Sequence, residues 1–88
     1  MELHDVNNSI QEKLNEIESL QGLIAKTHEE GEPIRAEMSK SKDQGRINKL
    51  ENKLNMLFSR RLNLIYQVQA CKEQIVKYRN DYMSAVLL

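Results

Sequence analysis

Few side chains in this sequence have the chemistry of a catalytic or metal site. The chain of 88 residues holds one cysteine, Cys71, and two histidines, His4 and His28. A cysteine nucleophile needs a neighbouring base to raise its thiolate fraction, and neither histidine is close to Cys71 in sequence. One cysteine and two separated histidines are also too few for a structural zinc site. These residues therefore predict no enzyme activity, no metal centre and no cofactor.

Basic side chains recur along the second half of the chain at spacings of one or two helical turns. The stripe consists of Lys42, Arg46, Lys49, Lys53 and Arg60. Such a stripe can follow a phosphate backbone, which would make the protein a regulatory nucleic-acid-binding protein. The sequence offers no helix-turn-helix pair, zinc knuckle or aromatic platform beside it. Protein binding is therefore the favoured interpretation, and nucleic-acid binding is the alternative.

The residues that position these groups follow a helical period. From Ile47 onward, positions three and four residues apart form the unbroken a/d pattern of a heptad repeat. Phe58, Ile65 and Val86 at adjoining e positions widen the apolar face. The pattern predicts a helix over residues 44–86. Its a and d residues are Ile47, Leu50, Leu54, Leu57, Arg61, Leu64, Val68, Cys71, Ile75, Tyr78, Tyr82 and Ala85.

The first segment carries the same pattern less regularly, which predicts a helix over residues 3–29. Gly31 and Pro33 are typical of a helix end, because glycine tolerates a left-handed C-terminal conformation and proline has no amide proton. The polar stretch that follows contains a further glycine. We therefore expect a connector over residues 30–43 that resets the apolar register between the two helices.

Three polar residues interrupt the two apolar patterns. Lys13 and Thr27 occupy a/d positions of the first segment, and Arg61 occupies an a position of the second. A polar residue at such a position lowers stability but can fix the register of two packed helices. The long stem of Arg61 also allows its charged end to reach the edge of the apolar face. We therefore expect a structural role for Arg61.

The two halves of the chain carry opposite charge. Residues 1–38 hold nine acids and three bases, a net of −6, whereas residues 39–88 hold ten bases and four acids, a net of +6. Opposite charge favours packing of one half against the other, and the connector permits the chain to fold back. The predicted fold is all-α: a single helical domain, an antiparallel hairpin or coiled coil with a long second helix.

A hairpin that turns near residue 36 or 37 leaves the end of the second helix, residues 72–88, without a neighbour. Apolar side chains there would require cover from a second protein surface. We expect a homodimer to supply it, and a heterologous protein partner is the less favoured source. Tyrosine suits such an interface because it buries a large ring while its hydroxyl stays near water. The predicted interface residues are Ile75, Tyr78, Tyr82, Met83 and Val86.

Size and composition narrow the class of protein further. A chain of 88 residues has room for one domain, and 40% hydrophobic with 30% charged residues is unlike a disordered chain. No apolar run approaches the ~20 residues that cross a bilayer. The single cysteine and the lack of a signal-peptide pattern favour the cytoplasm. We expect a non-enzymatic assembly or secretion chaperone, scaffold or adaptor.

Overall fold

The structure, a computed structural model, describes residues 2–87 as two long helices and a short connector. Helix α1 spans Leu3–Lys40 and helix α2 spans Gln44–Leu87. The two form a rod whose Cα atoms extend over 68 × 16 × 12 Å. The described residues contain no strand. The prediction of an all-helical chain with two helices is therefore confirmed, and the predicted start of the second helix at residue 44 agrees with the structure.

Neighbouring residues along the rod show that α1 and α2 are antiparallel. The pairs, taken from the connector to the far end, are Glu37 with Arg46, Thr27 with Arg61, and Val6 with Tyr78. The residue numbers of each pair add to between 83 and 88. A nearly constant sum is the mark of two antiparallel helices. Half of this sum gives the position of the turn of the hairpin, near residue 42.

Helix α1 is longer than the sequence led us to expect. It passes through Gly31 and Pro33 and ends at Lys40, so the connector predicted over residues 30–43 is reduced to Ser41–Asp43. Gly31 has no positive φ angle and is a buried residue of the helix. The two residues that are typical of a helix end therefore lie inside the helix.

Local packing explains how the helix continues past the proline. Proline provides no amide proton for the carbonyl four residues earlier, which weakens the helix at this turn. The carbonyl concerned is that of Glu29. The guanidinium of Arg35 crosses the bare backbone of Gly31 and donates a hydrogen bond of 3.3 Å to the adjacent carbonyl of His28, which links the turn after the proline to the turn before it. A Cβ atom on Gly31 would lie 2.8 Å from the Arg35 guanidinium. Beyond the proline, Ile34 and Met38 are half-buried and provide the apolar contacts that hold the last turns.

The connector ends one helix and begins the next with its own hydrogen bonds. The amide of Ser41 donates to the Glu37 carbonyl at 3.0 Å, which closes the last turn of α1. The Asp43 carboxylate accepts from the amide of Gly45 at 3.0 Å, and the Asp43 carbonyl accepts from Ile47 at 3.0 Å. An aspartate that precedes a helix and accepts from its second residue is an N-cap. The reversal thus needs only three residues.

The core of the hairpin is a single narrow seam between the helices. One side chain, Leu50, is 1% exposed, and the other buried apolar residues come from both helices along the rod. Those of α2 occupy predicted a and d positions. The buried apolar residues are Val6, Ile17, Leu20, Leu50, Leu57, Val68, Cys71 and Ile75. In a two-helix arrangement every residue off this seam faces outward.

The longer α1 also removes most of the expected overhang of the second helix. Because the turn lies near residue 42 instead of 36 or 37, the N-terminal end of α1 reaches the level of Tyr78. Ile75 is buried in one cluster with Ile17 and Leu20. The segment from residue 72 to about 81 therefore has α1 beside it, which corrects the register that we derived from the sequence.

Candidate protein-interaction surface

The middle of the seam contains a polar pair. Thr27 is buried and its hydroxyl donates to the Ile24 carbonyl at 2.7 Å. The same oxygen accepts a hydrogen bond of 3.2 Å from Nε of Arg61 on the other helix. Thr27 and Arg61, two of the three polar residues that interrupt the apolar patterns, thus meet each other. A shift of one helix along the other would separate Arg61 from this acceptor, so the pair fixes the register.

One flank of the hairpin is charged. Arg46 donates to the Glu37 carboxylate at 2.6 and 2.9 Å, and Arg60 lies 3.5 Å from a Glu30 carboxylate oxygen. We call these four residues the charged flank. All four side chains are at least two-fifths exposed, so each pair contributes only a few tenths of a kcal/mol. Their main effect is to favour the antiparallel pairing of acidic α1 with basic α2.

This pairing changes the interpretation of the predicted basic stripe. Two of its five residues, Arg46 and Arg60, form ion pairs with α1. Lys42, Lys49 and Lys53 are exposed and take part in none of the ion pairs found within residues 2–87. A phosphate backbone that followed the whole stripe would have to compete with two carboxylates. The role of these five residues in nucleic-acid binding stays a prediction.

A second row of apolar residues runs along α2 outside the seam. Its positions are spaced alternately four and three residues apart, so they form one continuous face. We call it the apolar stripe; it consists of Phe58, Leu62, Ile65, Val76 and Met83 and is interrupted by Gln69, Lys72 and Arg79. Phe58 is 55% exposed and Val76 is 52% exposed. Ile65 and Met83 are exposed as well, whereas Leu62 is half-buried, so four of the five apolar residues stay largely uncovered.

The sequence contained a signal for this stripe. Phe58 and Ile65 are the e-position residues that widened the predicted apolar face. Leu62, Val76 and Met83 fall at b positions, one turn from an e position in each case, and belong to the same face only when e and b are taken together. In the sequence, the stripe is therefore identified by a second series of positions, four and three residues apart, that runs beside the a and d series.

The predicted interface residues are divided between covered and exposed positions. Ile75 is buried against α1, and Tyr78 and Tyr82 are half-buried. Met83 and Val86 are at least half exposed. The interface role of the five residues stays a prediction, but only Met83 and Val86 keep the large exposed apolar surface that we expected of it. Met83 is at the same time the last member of the apolar stripe.

Cys71 lies inside the seam, beside Lys13 and Glu16 of α1. Burial raises the pKa of the Cys71 thiol, and the negative charge of Glu16 raises it further while Lys13 acts in the opposite direction. The pKa of Lys13 is in turn raised by its hydrogen bond of 3.1 Å to Glu16. The thiol is therefore protonated at neutral pH, which is the opposite of what a nucleophilic cysteine needs.

We expect a thiol reagent to reveal this burial. Ellman's reagent should react with Cys71 at least about tenfold more slowly in the folded chain than in guanidinium, because reaction requires opening of the hairpin. A second cysteine introduced by Ser59→Cys, at an exposed position of the same helix, provides a fast-reacting control. Equal rates for the two thiols in the folded chain would contradict the buried position. Stability should also fall as pH rises above the thiol's unfolded pKa, because the fold disfavours the thiolate.

The histidines do not join Cys71 in the structure. The side chain of His4 lies 3.3 Å from the Asn8 amide, near the open end of the rod. Residues 2–87 include no group of three or more side chains placed to hold a metal ion. Neither described helix combines the length and the apolarity that crossing a bilayer requires. No protein-family model, curated protein or solved structure matches the chain.

Proposed function

We propose that this protein is a non-enzymatic interaction module, an antiparallel coiled-coil hairpin that binds a helix of another chain along its apolar stripe. The observation that carries this proposal is the stripe itself: five apolar side chains aligned on one face of α2, four of them about half exposed. Single exposed apolar residues are ordinary on protein surfaces, but an aligned set is typical of an interaction site. Assembly or secretion chaperones, scaffolds and adaptors use such surfaces.

The shape of the stripe favours a helical ligand. From Phe58 to Met83 it runs straight along α2 for about 38 Å at 1.5 Å per residue. An amphipathic helix that presents anchors three and four residues apart matches both this length and this spacing. The surface grooves of the hairpin are shallow and open, so they suit a packed helix better than a small molecule.

The small core of the hairpin favours association with a partner. Eight buried apolar residues in one seam must offset the conformational entropy of ordering two helices of 38 and 44 residues. A small core limits the stability of a short chain, and oligomerisation is one of the usual remedies. Burial of the stripe would add to this core. The charges favour protein over nucleic acid as the partner, since α1 already neutralises part of the basic stripe.

Photo-crosslinking tests the proposed surface. The photoreactive amino acid benzoylphenylalanine placed at Phe58 should, on irradiation in the organism of origin, yield adducts of the mass of a protein complex, because a bound helix would lie within reach. The same substitution at Met56, which is 71% exposed but off the stripe, is the control. Adducts of equal yield from both positions, or none from position 58, would rule out the stripe as the binding surface.

A further inference from the structure

We infer that the occupant of the apolar stripe is a second copy of this chain, packed with its α2 antiparallel to the α2 of the first. This inference rests on the proposed function, because it assigns a partner to the same surface. The two hairpins would form a four-helix assembly related by a two-fold axis perpendicular to the rod. Surface area and the order of residues in the stripe support it.

The surface of the isolated hairpin is too large for its mass. It exposes 6714 Å², whereas a compact monomer of 10.3 kDa exposes about 5,400 Å². A standard protein interface removes about 800 Å² from each partner. A stripe of about 38 Å, with the adjoining side of α1, is a surface of this order. One further copy therefore removes most of the excess.

The order of residues in the stripe is self-complementary when reversed. In a two-fold interface, residue i of one copy meets residue j of the other, and residue j meets residue i. Antiparallel pairing centred between residues 70 and 71 gives four pairs: Phe58 with Met83, Leu62 with Arg79, Ile65 with Val76, and Gln69 with Lys72. Two pairs join apolar side chains, one packs a leucine against an aliphatic arginine stem, and the two polar residues near the centre meet each other.

A heterologous helix would not require this symmetry. Phe58 and Met83 lie at the two ends of the stripe, and pairing them gives the sulfur–aromatic contact that methionine favours. The central polar pair lowers stability but opposes a shifted register, in which Lys72 would face an apolar residue. The pattern thus specifies one alignment of two identical stripes.

Helix α1 provides one further apolar residue at the same level. The register of the hairpin places Leu14, which is 47% exposed, opposite Lys72 and on the same side as the stripe. In the antiparallel assembly the Leu14 side chains of the two copies approach each other beside the two-fold axis. The contact between hairpins therefore extends from α2 onto α1 at the level of the polar pair of Gln69 with Lys72.

Mass measurement on the purified chain is the first test. Sedimentation equilibrium should give twice 10.3 kDa for the wild-type chain. Each of the four pairs occurs twice in the dimer, which gives eight contacts. The double change Phe58→Gln with Ile65→Gln alters four of these eight, so it should raise the dimer dissociation constant by about 100-fold or more. Both positions are half exposed, so the hairpin itself should stay helical by circular dichroism. Met56→Gln with Tyr66→Gln, exposed positions off the stripe, is the matched control.

Distances between copies test the orientation. A spin label at Lys49→Cys, in a Cys71→Ala background, should lie about 65 Å from its counterpart, because both labels are about 32 Å from the two-fold axis. If α2 instead packed on the α1 of the second copy around an axis along the rod, the two labels would lie about 25 Å apart. That distance would overturn the antiparallel α2 pairing.

The outcomes separate this inference from the proposed function. A monomeric wild-type chain that still forms crosslinks from position 58 to a different protein would overturn the second copy as occupant and leave the interaction module intact. A dimer that survives the double change at Phe58 and Ile65 would overturn the second copy as the occupant of the stripe; if position 58 also gave no crosslink, the proposed function would fail with it. A dimer that dissociates only in the stripe variant, with the long label distance, supports the inference.

Discussion

Replacing Leu50 with alanine should remove a large fraction of the stability of the hairpin. Leu50 is 1% exposed, the most buried side chain of the described chain, and the ion pair of Glu37 with Arg46 sets a register that puts it opposite Ile34. Leucine-to-alanine changes at buried sites cost about 2–5 kcal/mol, because transfer free energy is lost and a cavity remains. Domains are usually stable by only about 5–15 kcal/mol, so a loss of this size is a large fraction of the total.

Urea denaturation followed by circular dichroism at equal protein concentration measures this effect. Leu23→Ala is the matched control, since Leu23 is a leucine of α1 with 48% exposure and lies outside the apolar stripe. We expect the control to shift the free energy of unfolding by less than about 1 kcal/mol. Equal losses in the two variants would show that Leu50 is not enclosed by the last turns of α1.

Replacing Pro33 with alanine should stabilise the hairpin. Pro33 lies exposed within α1, where it provides no amide proton to the carbonyl of Glu29. Alanine restores that hydrogen bond and has a helix propensity about 3 kcal/mol better in a helix interior. We expect a gain of roughly 1–3 kcal/mol, or about 4–8 °C in the melting temperature for each kcal/mol.

The neighbouring exposed residue Glu32 provides the control for this substitution. Glu32→Ala changes a side chain on the same turn without adding a backbone donor, so it should alter stability by no more than about 0.5 kcal/mol. If α1 ended before the proline, Pro33→Ala would act in a connector and would not raise the melting temperature or the helix signal. That result would contradict the continuous helix over Leu3–Lys40.

The sequence was sufficient to predict α2 but not the length of α1. The a/d pattern of α2 has no proline or glycine within it, so its helical period was the strongest local signal. In α1, Gly31 and Pro33 are local signals for a helix end, and they compete with a weaker but longer signal. From Thr27 the pattern continues through Gly31, Ile34 and Met38 at steps of four, three and four, in phase with α1 itself. Packing against α2 outweighed the local cost.

The greater length of α1 changes where the exposed apolar surface lies. With the turn near residue 36, the end of α2 has no neighbour; with the turn near residue 42, α1 covers Ile75 and part of Tyr78. The apolar surface that stays exposed is a side of α2 and not its end. Register depends on the exact length of the connector, which periodicity alone does not determine, so the sequence indicated an interaction protein without locating its surface.

The three-residue connector also determines the order in which the hairpin can close. Glu37 and Arg46 are 9 residues apart in sequence, whereas Val6 and Tyr78 are 72 residues apart. Loop-closure entropy makes the distant contact about 1.8 kcal/mol more costly to form first. Closure therefore starts at the connector and proceeds toward the termini. On the ribosome, α1 is complete before α2 emerges, so each new turn of α2 finds its packing partner already synthesised.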